Sequence, residues 1–140
     1  ETLAKAENGF EIVAREDTSG EFQKSLEAAQ KILSENSDIV AIMCGNDQMA
    51  VAAKTALNLA GNDQTVVYSI DGSPDIKKEL KKADGQIVGT VAQSPVNIGK
   101  KAVDIALDIL EGKDFEKETS VDVFMINKEN VEMYGADGWQ

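Results

Sequence analysis

Short β-rich apolar runs alternate with longer amphipathic segments along almost the whole of this sequence. In the longer segments apolar residues recur at helical spacing, as Leu26, Ala29 and Leu33 do. Strands that alternate with helices in this way form βαβ units with a parallel sheet covered on both faces. We therefore predict an α/β fold of three layers, in which helices flank a parallel sheet on each side. The predicted strands are 10–15, 38–44, 65–70, 87–92 and 120–126, and the predicted helices are 21–35, 47–60, 74–83 and 95–110.

Local signals indicate where several of these helices begin. Ser73 and Ser94 each precede a proline, so the serine can cap the free amides while the proline takes the first helical position. Thr18 and Glu21 have the spacing of a capping box before the first helix. Asp47 is expected to cap the second helix. These signals also locate the turns that follow the strands, which is where open α/β sheets bind ligands.

Composition excludes several classes of function. The chain has 14 Lys and Arg residues against 25 Asp and Glu residues, and its net charge of −11 repels phosphate backbones, so we expect no nucleic-acid partner. It has no His and a single Cys, Cys44, which excludes zinc sites, His-based general bases and Cys–His nucleophile pairs. We therefore predict no catalytic residue, no metal site, no cofactor and no enzymatic activity. The length of 140 residues fits one domain, and we find no linker, no membrane-spanning run and no targeting peptide.

Polar side chains follow three of the predicted strands at the point where each strand ends. Asn46, Asp71 and Gln93 are thus expected at one edge of the sheet, where they offer amide donors, amide acceptors and a carboxylate. Phe22, after the loop that follows the first strand, adds an aromatic ring. This set suits a neutral polyol such as a sugar, because hydroxyls pair with planar bidentate groups and C–H faces pack on a ring.

Each of these residues also has a plain structural interpretation. Phe22 falls on the same helical stripe as Leu26, so packing in the core is a rival to ligand contact. Asn46 could serve only as a turn residue, Asp71 as a turn carboxylate and Gln93 as a solvated loop residue. Cys44 is expected to be a buried, inert thiol, and Trp139 has no assigned role.

Taken in order, three motifs resemble a known family. They read N-D-Q-M-A, S-I-D-G-S-P and V-A-Q-S-P, and they are similar to motifs of the periplasmic sugar-binding proteins of ABC transporters, in particular the ribose-binding-protein-like group with the type I periplasmic binding fold. The resemblance extends from about residue 9 to residue 131. It implies that Asn46, Asp71 and Gln93 hydrogen-bond the sugar and that Phe22 stacks on the sugar ring.

The family resemblance also implies a protein of two lobes, of which residues 1–140 form the second, C-terminal one. Segments within 95–126 would then cross to the missing first lobe. The helix 95–110 is apolar around much of its surface, and we expect it to be covered by that lobe or by self-association. The implied function is that of the extracytoplasmic solute-binding component of an ABC sugar importer, which binds a monosaccharide such as ribose between its lobes and docks on the permease subunits. The implied location is periplasmic, or extracellular and membrane-anchored.

Two other functions share this type of fold. The effector domain of a lac-repressor-type transcription regulator is the first alternative, although such regulators tend to have D-D or D-N where this chain has Asp71-Gly72. A phosphoacceptor receiver on a flavodoxin-like fold is the second. It would need an acidic pair after the first strand and a Lys after the fifth, whereas here the first strand ends in Arg15 and no Lys directly follows residues 87–92. The sequence favours the sugar-binding interpretation.

Overall fold

The computed structural model describes residues 10–83 and 85–139, and its helices and strands alternate along the chain. The helices are α1 (Phe22–Glu35), α2 (Asp47–Ala60), α3 (Pro74–Leu80), α4 (Pro95–Leu110) and α5 (Val131–Tyr134). The strands are β1 (Ala41–Met43), β2 (Val66–Asp71), β3 (Ile87–Ala92) and β4 (Phe124–Asn127).

The four strands form one sheet in the order β1-β2-β3-β4. The first three strands run parallel, and β4 pairs with β3 in the antiparallel direction. A helix connects each pair of parallel strands, as expected for βαβ units. The predicted α/β class with a mainly parallel sheet is therefore confirmed, and the carboxyl ends of β1, β2 and β3 lie at the same edge of the sheet.

The prediction of a strand at 10–15 is wrong. These residues form no strand ladder with any residue that the structure describes, and Phe10, Ile12 and Val13 are exposed. An apolar run becomes a strand only when a neighbour satisfies its backbone groups, and in the described part of the chain β1 pairs with β2 alone. The run at 38–44 was expected to be buried on both faces, but β1 is a short, largely exposed edge strand.

The two Ser-Pro helix starts are formed as predicted. Ser73 Oγ accepts a hydrogen bond from the Ile76 amide at 3.4 Å, and Ser94 Oγ accepts one from the Asn97 amide at 3.2 Å. Both serines have extended backbone angles, and the following proline opens the helix. The starts of α3 and α4, and with them the ends of β2 and β3, are thus fixed by local sequence.

Two other capping predictions are wrong. Thr18 and Glu21 form no capping box, because the Thr18 hydroxyl is bonded at 2.7 Å to the hydroxyl of Ser25. The α2 cap is Asn46 rather than Asp47: Asn46 Oδ1 accepts the Met49 amide at 2.8 Å. The Asp47 side chain points into the protein instead.

One hydrophobic core lies between the sheet and helices α1, α2 and α3. Its centre is formed by Leu57, Val67, Ile76, Ile87 and Ile126, which have no accessible surface. The apolar helix α4 contributes nothing to this core, since it has no buried residue.

Candidate ligand-binding site

A cavity of about 550 Å³ opens at the carboxyl edge of the parallel strands. Three of the four sequence-predicted site residues line it: Phe22, Asn46 and Asp71. The fourth, Gln93, is joined to this group through a hydrogen bond from its Nε2 to Asp71 Oδ1 at 3.1 Å. The structure therefore brings together all four residues, from α1 and from the turns after β1, β2 and β3.

Asp71 has an unusual backbone conformation at the end of β2. Its φ of 127° lies in a region that residues with a side chain rarely adopt, and it is followed by Gly72 at φ 77°. The strand ladder fixes this geometry, because the backbone N–H of Gln93 donates to the backbone oxygen of Asp71 at 3.0 Å. Gly72 is held close to β3, where an added Cβ would lie 2.6 Å from the Ala92 Cβ. Strain of this kind persists when the surroundings over-determine it and is concentrated at functional sites.

Asn46 is both a helix cap and a cavity residue. Its Oδ1 is used by the cap, and its Nδ2 donates to Gly20 O at 3.3 Å, which ties the loop before α1 to the start of α2. A primary amide has two donor hydrogens, so one remains available to a ligand after the Gly20 bond is made. Gly20 has a φ of 73°, and a Cβ at this position would lie 2.8 Å from Asn46 Nδ2.

Gln93 lines a second, smaller cavity and is linked to the main one through its hydrogen bond to Asp71. The second cavity, of about 280 Å³, lies where β3 passes into α4, and residues of the returning chain at 119–123 also line it. One hydrogen on Gln93 Nε2 is donated to Asp71, so the other hydrogen and Oε1 remain available to other partners.

Phe22 is the first residue of α1, and its side chain is partly buried. Its ring lines the cavity beside Asn46 and Asp71, and it is not one of the residues packed in or against the core cluster, in contrast to Leu26 and Leu33. This placement puts an apolar, planar surface next to the polar groups.

The buried carboxylate of Asp47 connects the elements around the cavity. Its Oδ1 accepts hydrogen bonds from the Ser69 hydroxyl at 2.5 Å and the Thr90 hydroxyl at 2.8 Å, and its Oδ2 accepts the Ser73 amide at 2.7 Å. Thr90 Oγ1 in turn accepts the Gly72 amide at 3.2 Å. One side chain thus joins α2 to β2, to β3 and to the turn that contains Asp71, which makes Asp47 a positioning residue for that turn. Sequence reasoning missed this role because nothing in the local pattern distinguishes a buried first-turn Asp from a capping one.

Burial and this buried charge affect the neighbouring acids. Burial raises the pKa of Asp71, and the negative charge of Asp47 raises it further, against the lowering effect of the Asp47 amide and the Gln93 side chain. Burial and the Asp47 charge likewise raise the pKa of the Cys44 thiol to about 12, as predicted for an inert thiol. Within the described residues no cluster of three or more acidic, His or Cys side chains could hold a metal ion.

In the part of the chain that the structure describes, no helix has the length and apolar character needed to cross a bilayer.

A polar cavity at the carboxyl ends of parallel strands, with an aromatic ring at its side, is the arrangement of ligand-binding α/β domains. A family model for the periplasmic binding protein domain matches residues 1–114. The chain belongs to this family.

Relatives in the family are named for the ligands they bind rather than for a reaction. The ribose import binding protein of Salmonella typhimurium is 33% identical over 126 residues, which are 90% of this chain and 42% of that protein. The D-allose-binding periplasmic protein of Escherichia coli is 32% identical over 105 residues, which are 74% of this chain and 33% of that protein. The chain thus spans less than half the length of these relatives.

Solved structures agree with the fold. An ABC transporter periplasmic solute binding protein from Actinobacillus succinogenes with bound D-allose superposes with a TM-score of 0.83 at 28% identity, over 91% of this chain and 45% of that one. The Caulobacter myo-inositol binding protein gives a TM-score of 0.83 at 27% identity, over 94% of this chain and 45% of that one. These comparisons favour the sugar-binding interpretation over the effector domain of a transcription regulator.

Proposed function

We propose that this chain is the sugar-binding second lobe of a two-lobed solute-binding protein that serves an ABC importer. The observation that carries the proposal is the convergence of Asn46, Asp71 and Phe22 on one cavity, with Gln93 bonded to Asp71. The relatives named for ribose and D-allose support a monosaccharide as the ligand.

The hydrogen-bond donors and acceptors of the site that remain unused match the hydroxyls of a sugar. Asp71 has acceptor capacity beyond the bonds it accepts from the Gln93 side chain and the Asp47 backbone N–H, and Asn46 and Gln93 each have an amide hydrogen to donate. A sugar hydroxyl both donates and accepts, so one hydroxyl can pair with the carboxylate and with an amide at once. The Phe22 ring supplies the apolar surface on which the C–H face of a sugar ring packs.

The complete protein would enclose its ligand between two lobes. The described cavity is open to solvent, and we propose that a first lobe supplies the remaining contacts and the enclosing wall. Ligand then shifts an equilibrium from open to closed forms, because only the closed form makes both sets of contacts. The closed form would dock on the permease subunits, which implies an extracytoplasmic location, as the word periplasmic in the name of the D-allose-binding relative suggests.

The same proposal accounts for α4. This helix of 16 residues has no buried residue, and Val103, Leu107 and Leu110 are 58%, 51% and 83% exposed. Monomers rarely leave an apolar patch of this kind uncovered. We propose that the first lobe covers it in the complete protein.

Sugar binding by this chain can be measured by NMR titration. D-ribose, D-allose and myo-inositol are added to the labelled chain, and the side-chain amide signals of Asn46 and Gln93 are followed. We expect weak binding that shifts both signals, because one lobe makes only part of the contacts. Asp71→Ala should weaken it by about 1–3 kcal/mol, since a ligand hydroxyl loses its charged partner.

Asp63→Ala is the matched control for that titration. Asp63 is an exposed acid on the loop before β2, at the opposite end of that strand from Asp71, so its removal should leave affinity unchanged. If none of the three compounds shifts the Asn46 or Gln93 signals, or if both variants bind equally well, the proposed function is contradicted.

A further inference from the structure

The described C-terminal segment, residues 131–139 (the tail), is attached to the rest of the domain at several points. Val131 is buried in the core, and the Tyr134 ring stacks on Phe124 with 5.0 Å between ring centroids. Lys81 Nζ forms an ion pair with Glu132 at 2.8 Å. The segment that leads to the last residues is therefore fixed against β4 and α3.

A buried lysine binds this tail at Gly138. Lys77 on α3 has no accessible surface, and its Nζ donates a hydrogen bond to Gly138 O at 2.5 Å. Burial lowers the pKa of Lys77, and the nearby charge of Asp137 on the tail acts in the opposite direction. Long charged side chains are rarely buried without partners, so this contact ties the tail to α3.

Next to Gly138 along the chain is Trp139, and its side chain lines the same cavity as Phe22, Asn46 and Asp71. The indole is 49% exposed, so about half of its surface is open to solvent or to an incoming molecule. The cavity thus has two aromatic rings from opposite ends of the sequence. Nothing in the sequence pattern assigned a role to this residue, because its approach to the cavity depends on the tertiary attachment of the tail.

We propose that Trp139 is a second aromatic contact for the sugar and that Lys77 is the positioning residue that keeps it in the cavity. The inference rests on the proposed function of the site. A sugar ring has two C–H faces, and polar groups such as Asn46 and Asp71 address its hydroxyls, so a second ring adds apolar contact without competing for hydrogen bonds. An indole offers more area than a phenyl ring and would favour ligands with a large apolar face.

The experiment uses the fact that the chain contains a single Trp. During the titration with D-ribose and D-allose, the indole N–H signal and the fluorescence of Trp139 are recorded together with the side-chain amide signals of Asn46 and Gln93. We expect all three NMR signals to shift with the same dissociation constant. We expect the fluorescence to change along the same curve and sugar to protect the indole from acrylamide quenching.

Four variants complete the test. Trp139→Leu should weaken binding roughly two- to tenfold, and Trp139→Phe should retain most of the affinity. Lys77→Met should give the same loss as Trp139→Leu together with faster acrylamide quenching of the indole before sugar is added. Met133→Ala is the control, since Met133 lies on α5 with 81% exposure and does not line the cavity. Circular dichroism establishes that each variant is folded.

The outcomes separate this inference from the proposed function. Shifts at Asn46 and Gln93 without any response of Trp139 would overturn the inference and leave the function standing. Tighter binding by Trp139→Leu would also overturn it, because the indole would then block the cavity. If no signal shifts, the proposed function fails and the role of Trp139 fails with it.

Discussion

At the scale of single residues, Asp71 lowers the stability of the fold in two ways that a purely structural role would not require. Its φ of 127° is a conformation that favours glycine, and burial together with the Asp47 charge raises its pKa. A residue that costs stability in two ways is expected where function requires it. Stability and sugar binding should therefore respond in opposite directions when Asp71 is changed.

Asp71→Asn should stabilise the folded chain at pH 7 by about 0.5 kcal/mol or less, because it removes a charge that burial and the Asp47 carboxylate disfavour, while solvent screens a group that is only partly buried. The folded pKa is above the ordinary value of 3.8, so the folded state binds its proton more tightly than the unfolded chain, and stability falls as the pH rises through that window. The gain should therefore shrink towards pH 3. Urea unfolding at pH 7 and pH 3 measures it, and a gain that is equal at both pH values would assign the effect to the backbone conformation alone.

Asn46→Asp separates the two roles of Asn46. Asp is as good a helix cap as Asn, so the bond to the Met49 amide is kept. The bond from Nδ2 to Gly20 O is lost, and at about 1 kcal/mol this should lower the thermal midpoint by only a few degrees. The amide donors are lost, and sugar binding should weaken by about 1–3 kcal/mol. Thermal unfolding and NMR titration of the same sample give both numbers. Unchanged affinity would mean that Asn46 is only a cap.

At the scale of elements, the buried Asp47 carboxylate holds the end of the sheet together. It accepts three hydrogen bonds from residues on β2, on β3 and at the cap of α3. Removal of a buried acceptor leaves its donors without partners, which costs far more than loss of an exposed one. The network explains why the turn with Asp71 can hold an unfavourable backbone angle.

Asp47→Ala should destabilise the chain by about 3 kcal/mol or more, since three buried or half-buried donors lose their acceptor. Asp75→Ala is the matched control: Asp75 also lies in the first turn of a helix, but its side chain is 85% exposed and paired with Lys78. Its removal should change the free energy of unfolding by less than about 0.5 kcal/mol. Equal effects of the two substitutions in urea unfolding would contradict the role given to Asp47.

The elements also show which parts of this fold can be predicted from sequence. Helix α2, strand β3 and helix α4 have the predicted bounds, because Ser-Pro starts and continuous helical periodicity are local signals. The grouping of Asn46, Asp71 and Gln93 follows from one topological rule, that parallel strands end at the same edge. Pairing of residues 10–15, the orientation of Asp47 and the approach of Trp139 depend on which partner lies nearby in three dimensions, and local sequence does not contain that information.

At the scale of the whole molecule, the uncovered surface of this chain is as informative as its core. Helix α4 leaves its apolar residues exposed, and the outer face of the sheet leaves Met43, Ile70 and Met125 61%, 38% and 43% exposed. We propose that further protein covers both surfaces, since the chain matches only 42% of the length of the Salmonella typhimurium relative.

In isolation the chain should therefore associate with itself through α4. Light scattering over a range of concentrations should show mass above 15.0 kDa that falls to the monomer value in a Leu107→Lys, Leu110→Lys double variant. Leu59→Lys is the control, because Leu59 is an exposed leucine of α2, at 68% exposure, and should leave association unchanged. A monodisperse wild-type monomer at all concentrations would show that α4 needs no cover.

The most direct test of the central claim is a crystal structure of the chain soaked with D-ribose or D-allose. The account predicts one sugar molecule in the 550 Å³ cavity, with its hydroxyls within hydrogen-bond distance of the Asn46, Asp71 and Gln93 side chains and its ring against Phe22. A sugar bound elsewhere, or one that reaches only a single member of this set, would contradict it.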